Sequence, residues 1–223
     1  NRSKSQCEIL LIATLVAYFK FNNGSLLSDW GPNKMTAITQ STSLVSSGHS
    51  FEAITFNGST SSYFQISGLT AIGVSNKAFS FSIWIRPTNL LGVIIHVSVN
   101  SDGQGWCLPF VGFANNGSLL AQIYDGSAAV TISSSISTSV WSHVVQTWST
   151  TNGLRLYINN VLVASQFNGA TVYSASQQVN YVTLGNSLSG VLTCTGASVN
   201  MTAYKGDMDD FQIYSRELCA SDV

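Results

Sequence analysis

The sequence predicts an all-β protein, a two-sheet antiparallel β-sandwich of the jelly-roll type. Short segments of alternating apolar and polar residues recur about every eight to twelve residues, separated by turns rich in Asn, Gly, Asp and Ser. No stretch keeps the 3.6-residue period of an amphipathic helix. A chain of 223 residues that is 45% hydrophobic can bury one large core, and no linker divides it.

The clearest of these segments, residues 141–165, predicts three consecutive strands of an antiparallel sheet. Along residues 141–148, successive side chains turn to opposite faces, as they do in a strand. Residues 149–153 have turn composition, and apolar alternation resumes after them. Asn159 and Asn160 can supply the positive φ angles that a two-residue hairpin requires.

Ten further segments have strand composition. Pro87 ends the most regular of them, in which four apolar residues alternate with polar ones and a tryptophan. Residues 67–77 are predicted to be a loop with one helical turn, and residues 187–204 a long loop. The predicted strands are residues 16–21, 51–56, 63–66, 79–86, 92–100, 106–113, 119–124, 128–132, 178–184 and 208–214.

Charge is scarce and balanced, which excludes two classes of partner. Only 9% of the residues are charged, and the formal net charge is -1. No basic stripe is present, so nucleic acid is not an expected partner. Residues 8–16 are apolar but too short to span a bilayer, and no polybasic segment is present, so membrane insertion is not expected either.

Cysteines and glycosylation triplets favour an extracellular location, secreted or at the cell surface. The four cysteines are an even number and allow three pairings. Paired cysteines are typical of oxidising compartments. Five Asn-x-Ser/Thr triplets are candidates for N-glycosylation. Their asparagines are Asn1, Asn23, Asn57, Asn116 and Asn200.

The chemistry-bearing residues do not form a pattern typical of an enzyme. The three histidines, His49, His96 and His143, are far apart in sequence, and no serine lies in a nucleophile elbow. The Cys and His spacing does not match a zinc site. Asp207 and Asp209 would share one face of a strand, but no Glu follows to complete a glucanase-like acidic motif. We therefore expect a protein without catalytic residues.

Sugar binding would require exposed aromatic side chains beside amide groups. Four aromatic residues lie on strand faces opposite to the expected core and are candidates for stacking on a glycan. Both inner faces of a sandwich also need large apolar residues, so the alternative is that these side chains belong to the core. The candidates are Trp84, Trp106, Trp148 and Tyr157.

The sequence divides into an N-terminal apolar strand segment, residues 1–14, and one domain, residues 15–223. Residues 7–14 are apolar and strand-prone and carry one charge, Glu8. One interpretation is that they lengthen the first strand of their own sandwich. The other is that they add to the sheet edge of a neighbouring copy, which would produce homo-oligomers or filaments.

Six segments in order resemble the laminin-G-like jelly roll of the concanavalin A-like lectin/glucanase superfamily. The resemblance covers residues 15–223, and the chain departs from the family pattern at Asn159-Asn160, where Asn-Gly is common, and in the additional residues 7–14. The segments are LVAYFKFNNGSLLSDWG (15–31), FNGSTSSYFQI (56–66), FSFSIWIRP (79–87), WSHVVQTWSTTNGLRLYINNVLVAS (141–165), VTLGN (182–186) and GDMDDFQIYSREL (206–218).

The resemblance implies a non-catalytic extracellular recognition or adhesion module that binds a glycan or a protein. The alternative is a self-assembling structural subunit of a glycosylated extracellular fibre or coat, joined through the N-terminal strand. A glycoside hydrolase is the remote third reading, because the superfamily includes glucanases. Fold alone does not choose among them.

The resemblance also implies a calcium site and a disulfide pairing. Asp29, Asp209 and Asp210 stand where the family has acids, and calcium is the one expected cofactor. The alternative is structural: Asp29 caps a turn and Asp209 accepts backbone hydrogen bonds. The first and last strands are antiparallel neighbours in this family, which implies the pairs Cys7–Cys219 and Cys107–Cys194.

Overall fold

The computed structural model of the chain describes residues 11–192, 194 and 198–223. Within them lie fifteen strands, two short 3-10 helices, Ala71–Gly73 and Leu188–Leu192, and a helical segment at residues 11–14. In chain order the strands are β1 (Leu15–Phe19), β2 (Ala37–Gln40), β3 (Thr42–Val45), β4 (Ala53–Asn57), β5 (Tyr63–Leu69), β6 (Phe79–Pro87), β7 (Val93–Ser98), β8 (Cys107–Phe113), β9 (Leu119–Tyr124), β10 (Ala129–Ser134), β11 (Ser142–Ser149), β12 (Gly153–Ile158), β13 (Val161–Gln166), β14 (Asn180–Leu184) and β15 (Lys205–Tyr214).

These strands form two antiparallel sheets that pack face to face. The first sheet has eight strands in the order β13-β12-β11-β6-β15-β4-β3, with β1 also paired to β15. The second has seven strands in the order β10-β9-β8-β7-β14-β5-β2. Neighbouring strands are antiparallel throughout. The predicted two-sheet sandwich is therefore confirmed.

The core lies between the sheets and follows from the alternation of strand residues. In β6, Phe79, Phe81, Ile83 and Ile85 are all fully buried in this core. Trp148 of β11 is also fully buried, and its indole Nε1 donates a hydrogen bond to the carbonyl of Ala170 at 2.7 Å. That bond satisfies the one polar atom that the indole brings into the core.

The meander β11–β12–β13 lies at one end of the first sheet, with β13 as its edge strand. Asn159 and Asn160 have φ angles of 51° and 67°, so the two-residue hairpin turn predicted for them is confirmed. The side chains of β13 are mostly exposed. The meander therefore supports the fold but leaves one strand edge open.

Two local predictions differ from the structure. Strands β2 and β3 are absent from the predicted set, because Ser41, with φ 49°, turns the chain between them without a Gly or Asn signal. Residues 11–14 are helical, so the strand predicted there is wrong. Leu11 packs against a small apolar cluster on the outer face of the first sheet, which favours a local helix over extension of β1. Residues 1–10 lie outside the described part of the chain.

Part of the outer face of the first sheet is covered by the C-terminal segment. Val145, Tyr157, Tyr214 and Leu218 form the small apolar cluster there. An ion pair of 2.7 Å between Arg216 and Asp222 closes the segment on itself. The polar and aromatic residues described next lie on the remaining part of this face.

Candidate ligand-binding site

The site begins where β15 changes its pairing partner on one side from β4 to β1. Residues Lys205 to Met208 of β15 pair with β4, whereas Phe211 to Tyr214 pair on the same side with β1. Between them, the register with β6 shifts and Asp210 adopts a left-handed φ of 49°. A bulge of this kind re-aims side chains and leaves ladder groups unpaired. Asp209 and Asp210 stand at this break.

Asp209 holds a loop against the break. Its carboxylate is fully buried and accepts hydrogen bonds from the backbone N–H of Ser50 at 2.9 Å and from that of Asp210 at 2.9 Å. Burial raises the pKa of Asp209 to about 7, and the nearby Asp210 carboxylate also raises it, while the backbone donors act in the opposite direction. The buried carboxylate therefore fixes the position of the β3–β4 loop, residues 46–52.

This loop places an imidazole on an indole. The ring of His49 is stacked on that of Trp84 in β6, with 3.5 Å between centroids and 11° between planes. On the same indole, His143 of β11 is stacked with 4.9 Å between centroids. The Oγ of Ser82 lies 2.8 Å from the Nε2 of His143. Burial lowers the pKa of His143, which favours its neutral form.

A cleft of about 220 Å³ lies beside these stacked rings. The Tyr18 hydroxyl, on one wall, donates a hydrogen bond of 2.7 Å to the Asp210 carboxylate. Burial and that carboxylate raise the pKa of Tyr18 well above its ordinary value, so the hydroxyl keeps its proton. Polar groups outnumber apolar ones around the cleft. Its lining residues are Tyr18, Ser82, Trp84, His143, Asp210, Gln212, Tyr214, Leu218 and Asp222.

The same loop carries an exposed aromatic side chain, that of Phe51, two residues after His49. Phe51 is 83% exposed and has a φ of 68°. A bulky residue in the left-handed region is uncommon and costs roughly 1–3 kcal/mol, so such positions cluster at functional sites. A hydrogen bond of 3.0 Å from the Gly48 N–H to the Phe51 carbonyl closes the turn. The chain thus places an apolar ring in water, at an energetic cost, three residues before the buried strand residue Ile54.

A second aromatic side chain, that of Trp141 just before β11, extends the site beside Arg86 of β6. The Arg86 guanidinium lies over the Trp141 ring, 4.8 Å from its centroid, and pairs with Asp207 at 2.9 Å. Trp141 is in edge-to-face contact with His49 at 6.2 Å between centroids. Arg86 is thus held between an aromatic face and a carboxylate. We refer to His49, Phe51, Trp84, Trp141, His143 and Asp210, with the cleft, as the outer-face site.

The structure does not bring together the three acids predicted to bind calcium. The Asp29 carboxylate accepts hydrogen bonds from the backbone N–H groups of Tyr18 at 2.8 Å, Gly31 at 2.7 Å and Met35 at 2.7 Å. It lies outside the group in which donor atoms of His49, Asp209 and Asp210 are all within 4.8 Å of one another. Asp29 is a turn cap, and the predicted three-acid set is corrected accordingly.

Two of the four predicted stacking residues are buried, and a third packs against the core. Trp148 is fully buried and Tyr157 is 2% exposed. Trp106 is half-buried and packs against the core beside Tyr173. Trp84 lies on the outer face as predicted, but both its neighbours there are histidines. The prediction is wrong for Trp148 and Tyr157, because both inner-face packing and the C-terminal cluster need large side chains.

The cysteines agree with the predicted pairing as far as the structure describes them. Cys107 and Cys194 form a disulfide, with 5.1 Å between their Cα atoms. Cys219 is exposed and forms no disulfide with another described cysteine. Cys7 lies outside the described residues, so the Cys7–Cys219 pair stays a prediction.

The glycosylation triplets that the structure describes lie at surface turns. Asn23, Asn57 and Asn116 are exposed, and Asn200 is half-buried. In three of these triplets, the asparagine Oδ1 accepts the backbone N–H of the residue two positions later. Asn1 is outside the described residues. Attachment of sugar at these positions stays a prediction.

Sequence reasoning missed the two loop residues of the site. His49 lies in the loop of residues 46–52, which has no alternation, and its contact with Trp84 depends on a hydrogen bond to Asp209, 159 positions from Ser50. Phe51 is the first residue of a predicted strand, where an apolar side chain predicts burial. The short Gly48-His49-Ser50 turn was the one local signal present.

The sandwich and its polar, aromatic outer face define a lectin-like jelly-roll domain. The chain belongs to the concanavalin A-like lectin/glucanase superfamily, through the laminin-G-type family model that matches residues 57–223. Comparison with curated protein sequences finds no match. None of the helical segments among residues 11–192, 194 and 198–223 is long and apolar enough to cross a membrane.

Several solved structures share this fold at low sequence identity. The binding domain of Paraclostridial Mosquitocidal Protein 1 is 21% identical, with a TM-score of 0.69 over 95% of this chain and 51% of that one. Domain 4 of AbnA, a GH43 extracellular arabinanase from Geobacillus stearothermophilus solved with arabinotriose, is 21% identical, with a TM-score of 0.63 over 94% and 96%. The ligand-binding domain of botulinum neurotoxin serotype D, solved with N-acetylneuraminic acid, is 15% identical, with a TM-score of 0.67 over 98% and 51%. The chain thus spans about half the length of the toxin binding domains.

Proposed function

We propose that this chain is a non-catalytic recognition module that binds a neutral glycan at its outer-face site. The observation that carries the proposal is the exposed Phe51 ring, held at a left-handed φ in the loop that Asp209 anchors, together with a cleft lined by hydrogen-bonding groups at the adjacent Asp210. A sugar ring has an apolar C–H face that packs on an aromatic ring and a rim of hydroxyls that need hydrogen bonds. Phe51 and Trp141 supply the first kind of contact, and Asp210, Gln212 and His143 supply the second.

The charge around the cleft favours a neutral sugar over an acidic one. The cleft lining includes Asp210 and Asp222 and contains no Lys or Arg. Arg86, the basic side chain beside Trp141, is already paired with Asp207. Asp222 is paired with Arg216, so a carboxylate on the ligand would meet the Asp210 carboxylate with no free cation in the cleft lining and would be repelled. Hydroxyl groups can instead donate to Asp210 and accept from the amide of Gln212.

The carboxylates near the site are arranged for structure and binding rather than for hydrolysis. Oxygens of Asp209 and Asp210 lie within 4.8 Å, close to the roughly 5 Å of a retaining glycosidase. However, Asp209 is fully buried, and both of its oxygens accept backbone N–H bonds. It has no path by which to donate a proton to a glycosidic oxygen outside the protein. We therefore assign no catalytic residue.

An array of neutral and sialylated oligosaccharides, followed by calorimetry on the positive glycans, tests this function. We expect binding to neutral glycans that falls at least tenfold in Phe51→Ala and in Gln212→Ala. Phe167→Ala is the matched control, because Phe167 is also exposed, at 54%, but lies after β13. Equal binding by Phe51→Ala and wild type, binding restricted to sialylated glycans, or hydrolysis of a bound glycan would contradict the proposal.

The extracellular setting belongs to the same proposal. A disulfide between Cys107 and Cys194 is favoured in an oxidising compartment, and three sequon asparagines lie exposed at turns. Expression with a secretion signal in a glycosylating cell, followed by peptide mass spectrometry, tests it. Sugar on Asn23, Asn57 or Asn116 is the expected result. Unmodified triplets with a reduced Cys107 in the secreted material would argue against it.

A second candidate function, self-association into an extracellular assembly, is favoured by the edge strand β13. Val161, Leu162 and Val163 are 60%, 46% and 40% exposed at this edge. Residues 156–204 contain no Asp, Glu, Lys or Arg, whereas natural edge strands are commonly protected by charge. Two copies could pair their β13 strands without placing like charges opposite each other. Analytical ultracentrifugation of wild type and Leu162→Lys tests this: a monomeric wild type removes the candidate.

A further inference from the structure

We propose that His49, Asp209 and Asp210 form a binding site for a divalent transition-metal ion of the zinc type. One donor atom from each residue lies within 4.8 Å of the other two. The three residues come from the β3–β4 loop and from the bulge of β15, so the fold alone brings them together. This site is distinct from the predicted calcium set, in which Asp29 took the place of His49.

The donor set determines the class of ion. Calcium takes six to eight oxygen ligands, whereas an imidazole nitrogen with carboxylates suits zinc and the neighbouring transition metals. Three protein ligands with a remaining open position are the usual number in zinc sites that bind a further molecule. His49 is exposed, so the open position would face solvent beside the cleft.

The electrostatics of this cluster favour a bound cation. Asp209 and Asp210 are adjacent carboxylates and form no ion pair with any of the described cations. Arg86 is occupied by Asp207, and Lys20 lies over the rings of Tyr18 and Trp30. A divalent ion would neutralise these two negative charges, with which none of the cations among the described residues is paired.

Each proposed ligand is already held by a second group. The His49 ring is stacked on Trp84, Asp209 is bonded to backbone N–H groups, and Asp210 accepts the Tyr18 hydroxyl. Such second contacts orient metal ligands and raise affinity. Ligands at about 2.0–2.2 Å from a tetrahedral zinc ion are about 3.3–3.6 Å apart, so donor atoms that lie within 4.8 Å of one another must close by up to about 1.5 Å. The exposed His49 side chain can supply that movement.

Calorimetric titration of the chelator-treated full chain with zinc chloride, cobalt chloride and calcium chloride tests the site. We expect one zinc ion per chain, visible absorption bands from bound cobalt, and no calcium binding of comparable affinity. His49→Gln and Asp210→Asn should each weaken zinc binding at least tenfold. Asp102→Asn is the matched control, because Asp102 is an exposed loop carboxylate that accepts a hydrogen bond from the Gln104 N–H.

The outcomes distinguish this site from metal binding at the Cys219 thiol and from the glycan site. Zinc binding that survives both His49→Gln and Asp210→Asn would place the ion elsewhere, for example at the exposed Cys219, and would overturn the proposal. Absence of zinc binding, or tighter binding of calcium than of zinc, would also overturn it. Phe51→Ala should keep zinc binding, so the loss of glycan binding in that variant is a separate result.

Discussion

The imidazole of His49 lies flat against the indole of Trp84, with 3.5 Å between ring centroids. The contact joins a loop without regular structure to the most regular strand of the first sheet. It exists because Asp209, buried beneath the loop, accepts the N–H of Ser50. The outer-face site is therefore an assembly of long-range contacts on a rigid sheet, which is the usual way in which a jelly roll carries a binding site.

Replacing Phe51 by glycine should leave stability unchanged or raise the free energy of unfolding by up to about 2 kcal/mol. Relief of the left-handed strain, roughly 1–3 kcal/mol, outweighs the added freedom of the unfolded chain, about 0.5–1 kcal/mol. Chemical denaturation measures the change. Phe167→Gly is the control, because Phe167 is also exposed but is not a positive-φ residue, so it should lose about 0.5–1 kcal/mol. A clear loss of stability in Phe51→Gly would show that the ring packs in the folded protein.

The strands of the sheets could be predicted because their determinants are local in sequence. The site could not be predicted, because its residues meet through contacts between distant parts of the chain. The alternation of Phe79, Phe81, Ile83 and Ile85 places Trp84 on the opposite face without knowledge of any partner strand. His49 has no such period, and its position depends on a residue 160 positions away in sequence. Strands β2 and β3 were missed for the related reason that four-residue strands joined at Ser41 carry too few residues to show a period.

The function of Asp29 as a turn cap predicts a large loss of stability on its removal. Asp29→Ala leaves the N–H groups of Tyr18, Gly31 and Met35 without their acceptor, which should lower the free energy of unfolding by about 2–4 kcal/mol. Asp29→Asn keeps one acceptor oxygen and should lose less. Denaturation with and without millimolar calcium checks the reading. If Asp29→Ala lowered the free energy of unfolding only in the presence of calcium, Asp29 would be a calcium ligand rather than a turn cap.

His96 predicts a pH dependence of stability in the acid range. The side chain is fully buried, and burial lowers its pKa to about 4, while the Gly103 carbonyl partly opposes that shift. In the unfolded chain the pKa is near 6.5, so the unfolded state binds more protons between these values and stability falls as the pH is lowered. The full effect is about 3 kcal/mol, present above pH 6.5 and lost by about pH 4.

The difference between wild type and His96→Gln isolates this contribution. Both proteins share every other titrating group, including Asp209, so the remaining groups cancel when the two stability curves are subtracted. The wild-type curve should fall more steeply than that of the variant between pH 6.5 and 5, measured by urea denaturation. Parallel curves would mean that His96 is protonated in the folded protein or reaches water there.

The disulfide between Cys107 and Cys194 joins the start of β8 to the long loop after β14, across a sequence separation of 87 residues. On the chain-entropy model, a closed loop of this length stabilises the folded state by about 4 kcal/mol, because it restricts the unfolded chain. The double variant Cys107→Ala/Cys194→Ala should therefore melt roughly 10 °C lower by calorimetry. Reduction of the wild type should reproduce this loss. A double variant within about 1 kcal/mol of wild type would mean that the native loop contacts, rather than the covalent bond, hold this end of the sandwich.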